Sequence, residues 1–437
     1  MIKYICNKSY IYSDILFVGS SLILNSPLHI YKLVAPNMSN SINLKKTPMF
    51  NHSSINSEIL KKRAYNLRWA SVPEGVIPLT AADPDFPCAP EIAESISRFA
   101  KERYFSYGHP EGMPEFKESV ANFFQKKRNI PANPAFILPV DSAAYGIYLI
   151  CKSFLKTGDE AIIFDPVDFL FRYSVEAVGG VAVPFPIGTT ITHMNFELFE
   201  KLITPKTRMI CLCNPLNPTG KVFTKEELYR IGQLACKYNL IILSDEIWSD
   251  IVYAPNVFTS MASISEEIRD RTITVTGYSK SYGLAGLRIG IVMASNEIHF
   301  KKILDVSLHN ATIHGANIIS QVAVTTALND CDYWLQDFLS HLHRMRDLVT
   351  AEINTTPGFK SNSPDGCYVA FADIMDTGKS SQEIHDLLLK NAKVAIVPGL
   401  KEWFGEGANG HIRMSFATSE EILKDAFFRI KNTIESL

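Results

Sequence analysis

From about residue 88 the chain alternates short apolar runs with amphipathic stretches. The runs cover 136–140, 161–164, 181–185, 209–213, 240–243, 273–275 and 289–293, and their continuous hydrophobicity marks strands buried on both faces. Between them, 143–155 and Lys225–Lys237 carry helical spacing, and Thr224 with Glu227 forms a capping box at the start of the latter. This alternation predicts an α/β fold with a mostly parallel sheet and helices on both faces. After about residue 300 the texture changes: a helical stretch covers roughly 318–354, an alternating run covers 368–374, and a closing helix follows Ser419. A second, smaller α+β layer is expected there.

Composition narrows the possible functions. The 437 residues are 46% hydrophobic and 20% charged, which is ordinary globular composition. With 43 basic and 45 acidic side chains, no global field favours nucleic acid or an anionic membrane over a small ligand. Eight irregularly spaced Cys fit neither a disulfide framework nor a zinc site, so a reducing, cytoplasmic setting is expected and no metal. An apolar run at 15–24 follows Lys3 and Lys8 but is too short to span a bilayer and lacks a convincing cleavage site. Residues 1–37 are therefore expected to be a leader or a non-native extension, with Met38 as the start.

In open α/β sheets ligands bind outside the carboxyl ends of the strands, so the residues after each run carry the chemistry. Asp141-Ser142-Ala143-Ala144 opens a helix whose first-turn N–H groups suit a phosphate, although a serine there is more often a plain cap. Asn214-Pro215-Leu216-Asn217-Pro218-Thr219-Gly220 is a fixed turn that offers the Asn217 amide as a donor. Ser244-Asp245-Glu246 leaves a buried strand, where an aspartate must be solvated, paired or used to hold a proton. Lys280, flanked by Ser279 and Ser281, stands at a strand tip where desolvation lowers an amine's pKa, and Arg288 follows. Each has a plain structural alternative, as a cap, a turn or a solvated side chain. Together they suit a phosphorylated aromatic aldehyde: lysine for the carbonyl, aspartate for a ring nitrogen, helix start for the phosphate.

On these residues the chain resembles the fold-type I, pyridoxal-phosphate-dependent class I/II aminotransferases over roughly 70–435. Ala81-Ala82-Asp83-Pro84-Asp85-Phe86 is similar to the family's G-E-P-D-F segment near the substrate carboxylate. Tyr107-Gly108-His109-Pro110-Glu111-Gly112 is similar to the stretch whose tyrosine reaches the neighbouring subunit's phosphate. Val397-Pro398-Gly399, Phe404-Gly405 and His411-Ile412-Arg413 resemble the family's C-terminal elements. The resemblance implies Lys280 as Schiff-base lysine and Asp245 as partner of the pyridine nitrogen. It implies Asn217 as donor to the ring hydroxyl and Ser142, Ala143, Ala144, Arg288 and Ser279 or Thr276 around the phosphate. Arg413, Ala82 and Asn217 would bind the substrate, and Tyr107 would serve the partner in a homodimer. The implied architecture is a seven-stranded sheet in a large domain (89–325), with an arm (38–88) and a C-terminal segment (326–437) forming the small domain.

Three departures stand out. Trp248 replaces the tyrosine that many members direct at the cofactor, Gly277 replaces the phosphate serine, and Asp168 occupies the ring-stacking position, where Phe169 would take over by a small shift. No position matches the family's arginine for a distal substrate carboxylate, whereas Trp248 and Phe169 fit tolerance of apolar side chains and fit core packing as readily. The implied activity is transfer of an α-amino group from an amino acid to a 2-oxo acid. The alternatives are a carbon–sulfur β-lyase of the cystathionine β-lyase kind, suggested by 67–86 and 244–250, and a cofactor-binding regulator without turnover.

Overall fold

The computed structural model describes residues 49–190 and 194–436. The expectations for 1–37, and for Met38 as the start, lie outside the described residues. The described residues contain twelve strands: β1 (Ile77–Pro78), β2 (Ile137–Val140), β3 (Glu160–Asp165), β4 (Val181–Pro186), β5 (Thr207–Cys213), β6 (Ile241–Asp245), β7 (Thr272–Thr276), β8 (Gly290–Ala294), β9 (Val369–Asp373), β10 (Val394–Ala395), β11 (Val397–Pro398) and β12 (His411–Ser415). Seven of them build one sheet in the order β2-β8-β7-β6-β5-β3-β4. β8 alone runs opposite to the other six strands, so the expected mostly parallel sheet is present. All seven apolar runs became strands, each shifted by no more than two residues at either end.

The helices follow equally local rules. Lys225–Lys237 begins at the capping box of Thr224 and Glu227. The helix Ala143–Phe154 begins at Ser142, whose Oγ accepts from the Tyr145 N–H at 3.1 Å. The long helical stretch divides into Ile318–Asp330 and Asp332–Asn354, because the chain leaves helical geometry at Cys331.

The remaining strands make two small sheets. In one, β12 pairs antiparallel with both β11 and β9; in the other, β1 of the arm pairs parallel with β10. Two large hydrophobic cores among the described residues underlie this arrangement, beside a small cluster of Phe371, Val397, Phe404 and Ala408. One contains Ile162, Ile210, Leu243 and Val275 of the large sheet, and the other joins arm residues such as Leu79 and Phe86 to Phe338, Val369 and Phe427. Among the described residues no helix is long and apolar enough to cross a membrane.

Candidate active site

The parallel strands bring their carboxyl ends into line. Cys213 of β5 pairs with Asp245 of β6, which pairs with Val275 of β7. The three loops that follow therefore open onto one cavity of about 610 Å³. Asp245, Asn217 and Lys280 line it from the large sheet, Ser142, Ala143 and Ala144 from the helix start, and Arg413 from β12. Ala82, Trp248, Phe169, Ser279 and Arg288 complete the set of expected residues found there. A neighbouring cavity of about 740 Å³ borders Arg288, Asp141 and His309 but touches none of Lys280, Asp245, Asn217 or Arg413, so the chemistry belongs to the first.

Lys280 is half-buried and lines the cavity. Its Nζ donates to the Ala82 carbonyl at 2.7 Å and stands 5.4 Å from the centre of the Trp248 ring. Burial lowers its pKa, opposed by the charge of Asp83 and reinforced by that of Arg413. The amine is thereby biased toward the neutral, nucleophilic form. Asp245 is buried, accepts from the Ile247 N–H at 3.0 Å, and is pushed up to about 7 by loss of hydration. Such a carboxylate gains from a cationic N–H brought against it. Its sequence neighbour Glu246 turns away and accepts from Ser244 and Ser260 at 3.0 and 2.7 Å, so only one member of the acidic pair reaches the site.

The turn after β5 is held from both ends. The Leu216 N–H donates to the Lys221 carbonyl, and Gly220, at φ +74°, packs where a Cβ would lie 2.7 Å from the Gly366 oxygen. The Asn217 side chain is thus aimed at β12. There its Oδ1 accepts from Arg413 Nη1 at 3.1 Å while its Nδ2 donates to Asp168 at 2.9 Å. Arg413 also donates to the Thr80 carbonyl at 3.2 Å, and its Nε is buried without an acceptor. A guanidinium with an orphaned donor edge suits a carboxylate ligand.

The helix start completes the cavity. Gly290 of β8 passes so close that a Cβ there would sit 2.3 Å from the Ala143 nitrogen, which keeps the first helical turn against the sheet edge. Arg288, in left-handed geometry at φ +49°, pairs with Asp141 at 3.2 Å and is largely exposed. Of the two candidate hydroxyls, Ser279 lines the cavity, whereas Thr276 is buried and donates to the Glu246 carbonyl at 3.2 Å. Phe169 lies edge-on to Trp403 at 5.8 Å, and Trp248 lies edge-on to Tyr368 at 4.6 Å. Tyr107 does not line this chain's cavity; it is 87% exposed, with its ring beside His314.

Sequence reasoning overlooked several participants. Thr80 acts through a backbone carbonyl, which no side-chain pattern reveals. Tyr368 sits in an alternating run and donates to the Ala82 carbonyl at 3.2 Å, beside Lys280. Asp168 was noticed only as a replaced aromatic, yet it is tied to Asn217. The residues present fit pyridoxal phosphate: a tight-packed helix start for the phosphate, a buried carboxyl for the ring nitrogen and a desolvated amine for the aldehyde.

Comparison with known proteins agrees. The sequence profile of the aminotransferase class I and II family matches residues 74–430. Aspartate aminotransferase of Pyrococcus abyssi is 33% identical over 82% of this chain and 92% of its own length. Aromatic-amino-acid aminotransferase 2 of Thermococcus litoralis is 34% identical over 83% and 92%. The crystal structure of an aromatic aminotransferase from Pyrococcus horikoshii superposes with a TM-score of 0.78 at 30% identity, covering 83% of this chain and 97% of that one. The chain therefore belongs to the class I and II aminotransferases and is a pyridoxal-phosphate-dependent enzyme that moves an α-amino group from an amino acid to a 2-oxo acid.

Proposed function

We propose that Lys280, Asp245, Asn217 and Arg413 carry this transamination. The observation that supports the reading is the opening of a desolvated amine and a buried guanidinium onto one cavity. Arg413 binds the substrate α-carboxylate through its unpaired edge and is kept in place by Asn217 and the Thr80 carbonyl. Lys280 Nζ, whose pKa burial lowers, takes the proton from the substrate Cα and returns one on the other side of the amine nitrogen. Asp245 would hold the proton on the ring nitrogen, and Asn217 would donate to the ring hydroxyl. The N–H groups of Ala143 and Ala144, with Ser142, Ser279 and Arg288, hold the phosphate. The cofactor, when bound, supplies the electron sink that lets the α-proton leave. Trp248 and Phe169 border the ring, and Ala82 borders the substrate.

The test is a panel of amino acids and cystathionine, followed by absorbance change and by release of pyruvate and thiol. Conversion of amino acids without thiol release is expected. Rapid pyruvate and thiol release from cystathionine would overturn the assignment in favour of β-elimination.

The enzyme is proposed to work as a homodimer in the cytoplasm, its large domain spanning 89–325 and its small domain built from 38–88 and 326–437. Tyr107 supports dimerisation, because a wholly exposed tyrosine in a segment with exposed Tyr104 and Phe105 is apolar surface in want of a partner. Sedimentation is expected to report a dimer, and Tyr107→Phe to weaken cofactor retention. A fully active monomer would contradict this. The seven cysteines among the described residues are free, which suits a reducing compartment.

A further inference from the structure

Five charged side chains among the described residues line the cavity: Asp168, Asp245, Lys280, Arg288 and Arg413. The proposed chemistry occupies four of them with the ring nitrogen, the aldehyde, the phosphate and the α-carboxylate. Asp168 is left over.

Its position is well determined. The Asp168 Oδ2 accepts from Asn217 Nδ2 at 2.9 Å, its Oδ1 accepts from the Leu170 N–H at 3.3 Å, and its own N–H donates to the Asn217 carbonyl at 3.2 Å. Asn217 in turn accepts from Arg413, so the carboxylate stands one amide away from the clamp. Burial pushes the Asp168 carboxyl up, while the charge of Arg413, the Leu170 N–H, Lys280 and the Asn217 amide hold it down. The surrounding wall is aromatic: Phe169, Trp403 and Phe404 line the same cavity.

A substrate fixed by its α-carboxylate on Arg413, with its α-carbon at Lys280, extends its side chain along the rest of this cavity. Among the described residues of this chain a second carboxylate there meets no unassigned cation and faces Asp168, a juxtaposition that like charges resist. An ammonium or guanidinium meets a carboxylate and aromatic faces, both of which attract it.

We propose that Asp168 is a specificity-determining residue that makes the preferred amino donor an α-amino acid with a cationic side chain, an ω-amine or a guanidine. This rests on the reading of Arg413 as the α-carboxylate clamp. The test is calorimetric titration of the holoenzyme with α-methylornithine and α-methylaspartate, which lack the α-proton and so cannot pass on their α-amino group. Wild type is expected to bind the ornithine analogue about tenfold or more tightly than the aspartate analogue. Asp168→Asn should bring the two within about twofold, and Asp168→Glu should keep the preference. Equal or reversed preference in wild type, binding of neither analogue, or an undiminished preference in Asp168→Asn overturns the proposal. The wild-type ratio decides the matter even if the Asn variant fails to fold. Arg413→Lys separates the two readings: it should weaken both analogues alike, and if it weakens neither, the fault lies with the clamp and not with Asp168.

Discussion

Lys280→Ala is expected to lower turnover by about 10⁴-fold or more and to abolish the mass increase that borohydride treatment otherwise fixes on the chain. Among the described residues Lys280 is the only lysine lining the cavity, and no second amine there stands ready to replace it. Its environment also assigns the reason. Burial and the nearby Arg413 charge favour the neutral amine, and the Ala82 carbonyl orients Nζ at 2.7 Å. Lys280→Arg retains a cation but cannot release a proton, so it should fall nearly as far as Ala. If Arg restored activity, Lys280 would matter as a charge and the proton-transfer role would be wrong. Retention of the borohydride adduct in Lys280→Ala would refute the attachment site altogether.

Asp245→Asn should reduce kcat by roughly 10²–10³-fold, since removing one partner of a buried ionic contact costs about 3–5 kcal/mol. The same residue leaves a signature in the cofactor-free protein. Burial raises its pKa from 3.8 to about 7, so between these values the folded state holds a proton that the unfolded chain has released. The folded state then binds more protons, and stability must fall as pH rises through that window, by an amount on the order of a few kcal/mol. Chemical denaturation of the cofactor-free protein across pH 4 to 8 measures the slope. Asp245→Asn should lack this component, and identical slopes for the two proteins would show that Asp245 is ionised throughout.

The contrast between Asp245 and Glu246 shows what each level of structure decides. Both were visible as a carboxylate pair at the end of an apolar run, and the register of β6 separates them. Asp245, paired with Cys213 and Val275, faces the cavity, while Glu246 joins a network of serines. A period-two alternation of sides is local, but which side faces a cavity depends on neighbouring strands. Thr276 and Ser279 illustrate the same point: equivalent as candidate hydroxyls in the sequence, they part because Thr276 reaches the Glu246 carbonyl across the sheet.

The sequence by itself determined the seven strands of the large sheet, a few of the helices and the order of the reactive residues, because apolar runs, caps and prolines act over a few positions. Lys280, Asp245 and Asn217 were legible as candidates in this way, and Arg413 only through the family resemblance of 411–413. What only the tertiary structure decided was convergence over long distances: Arg413 on β12 reaching Asn217 of the large sheet, the Thr80 carbonyl holding Arg413, Tyr368 sharing the Ala82 carbonyl with Lys280, and Asp168 facing the cavity with its charge unassigned. The physical reason is that burial, hydrogen-bond partners and electrostatic neighbours are properties of packed surfaces, and residues some 200 or 300 positions apart acquire them only when the strands are laid side by side.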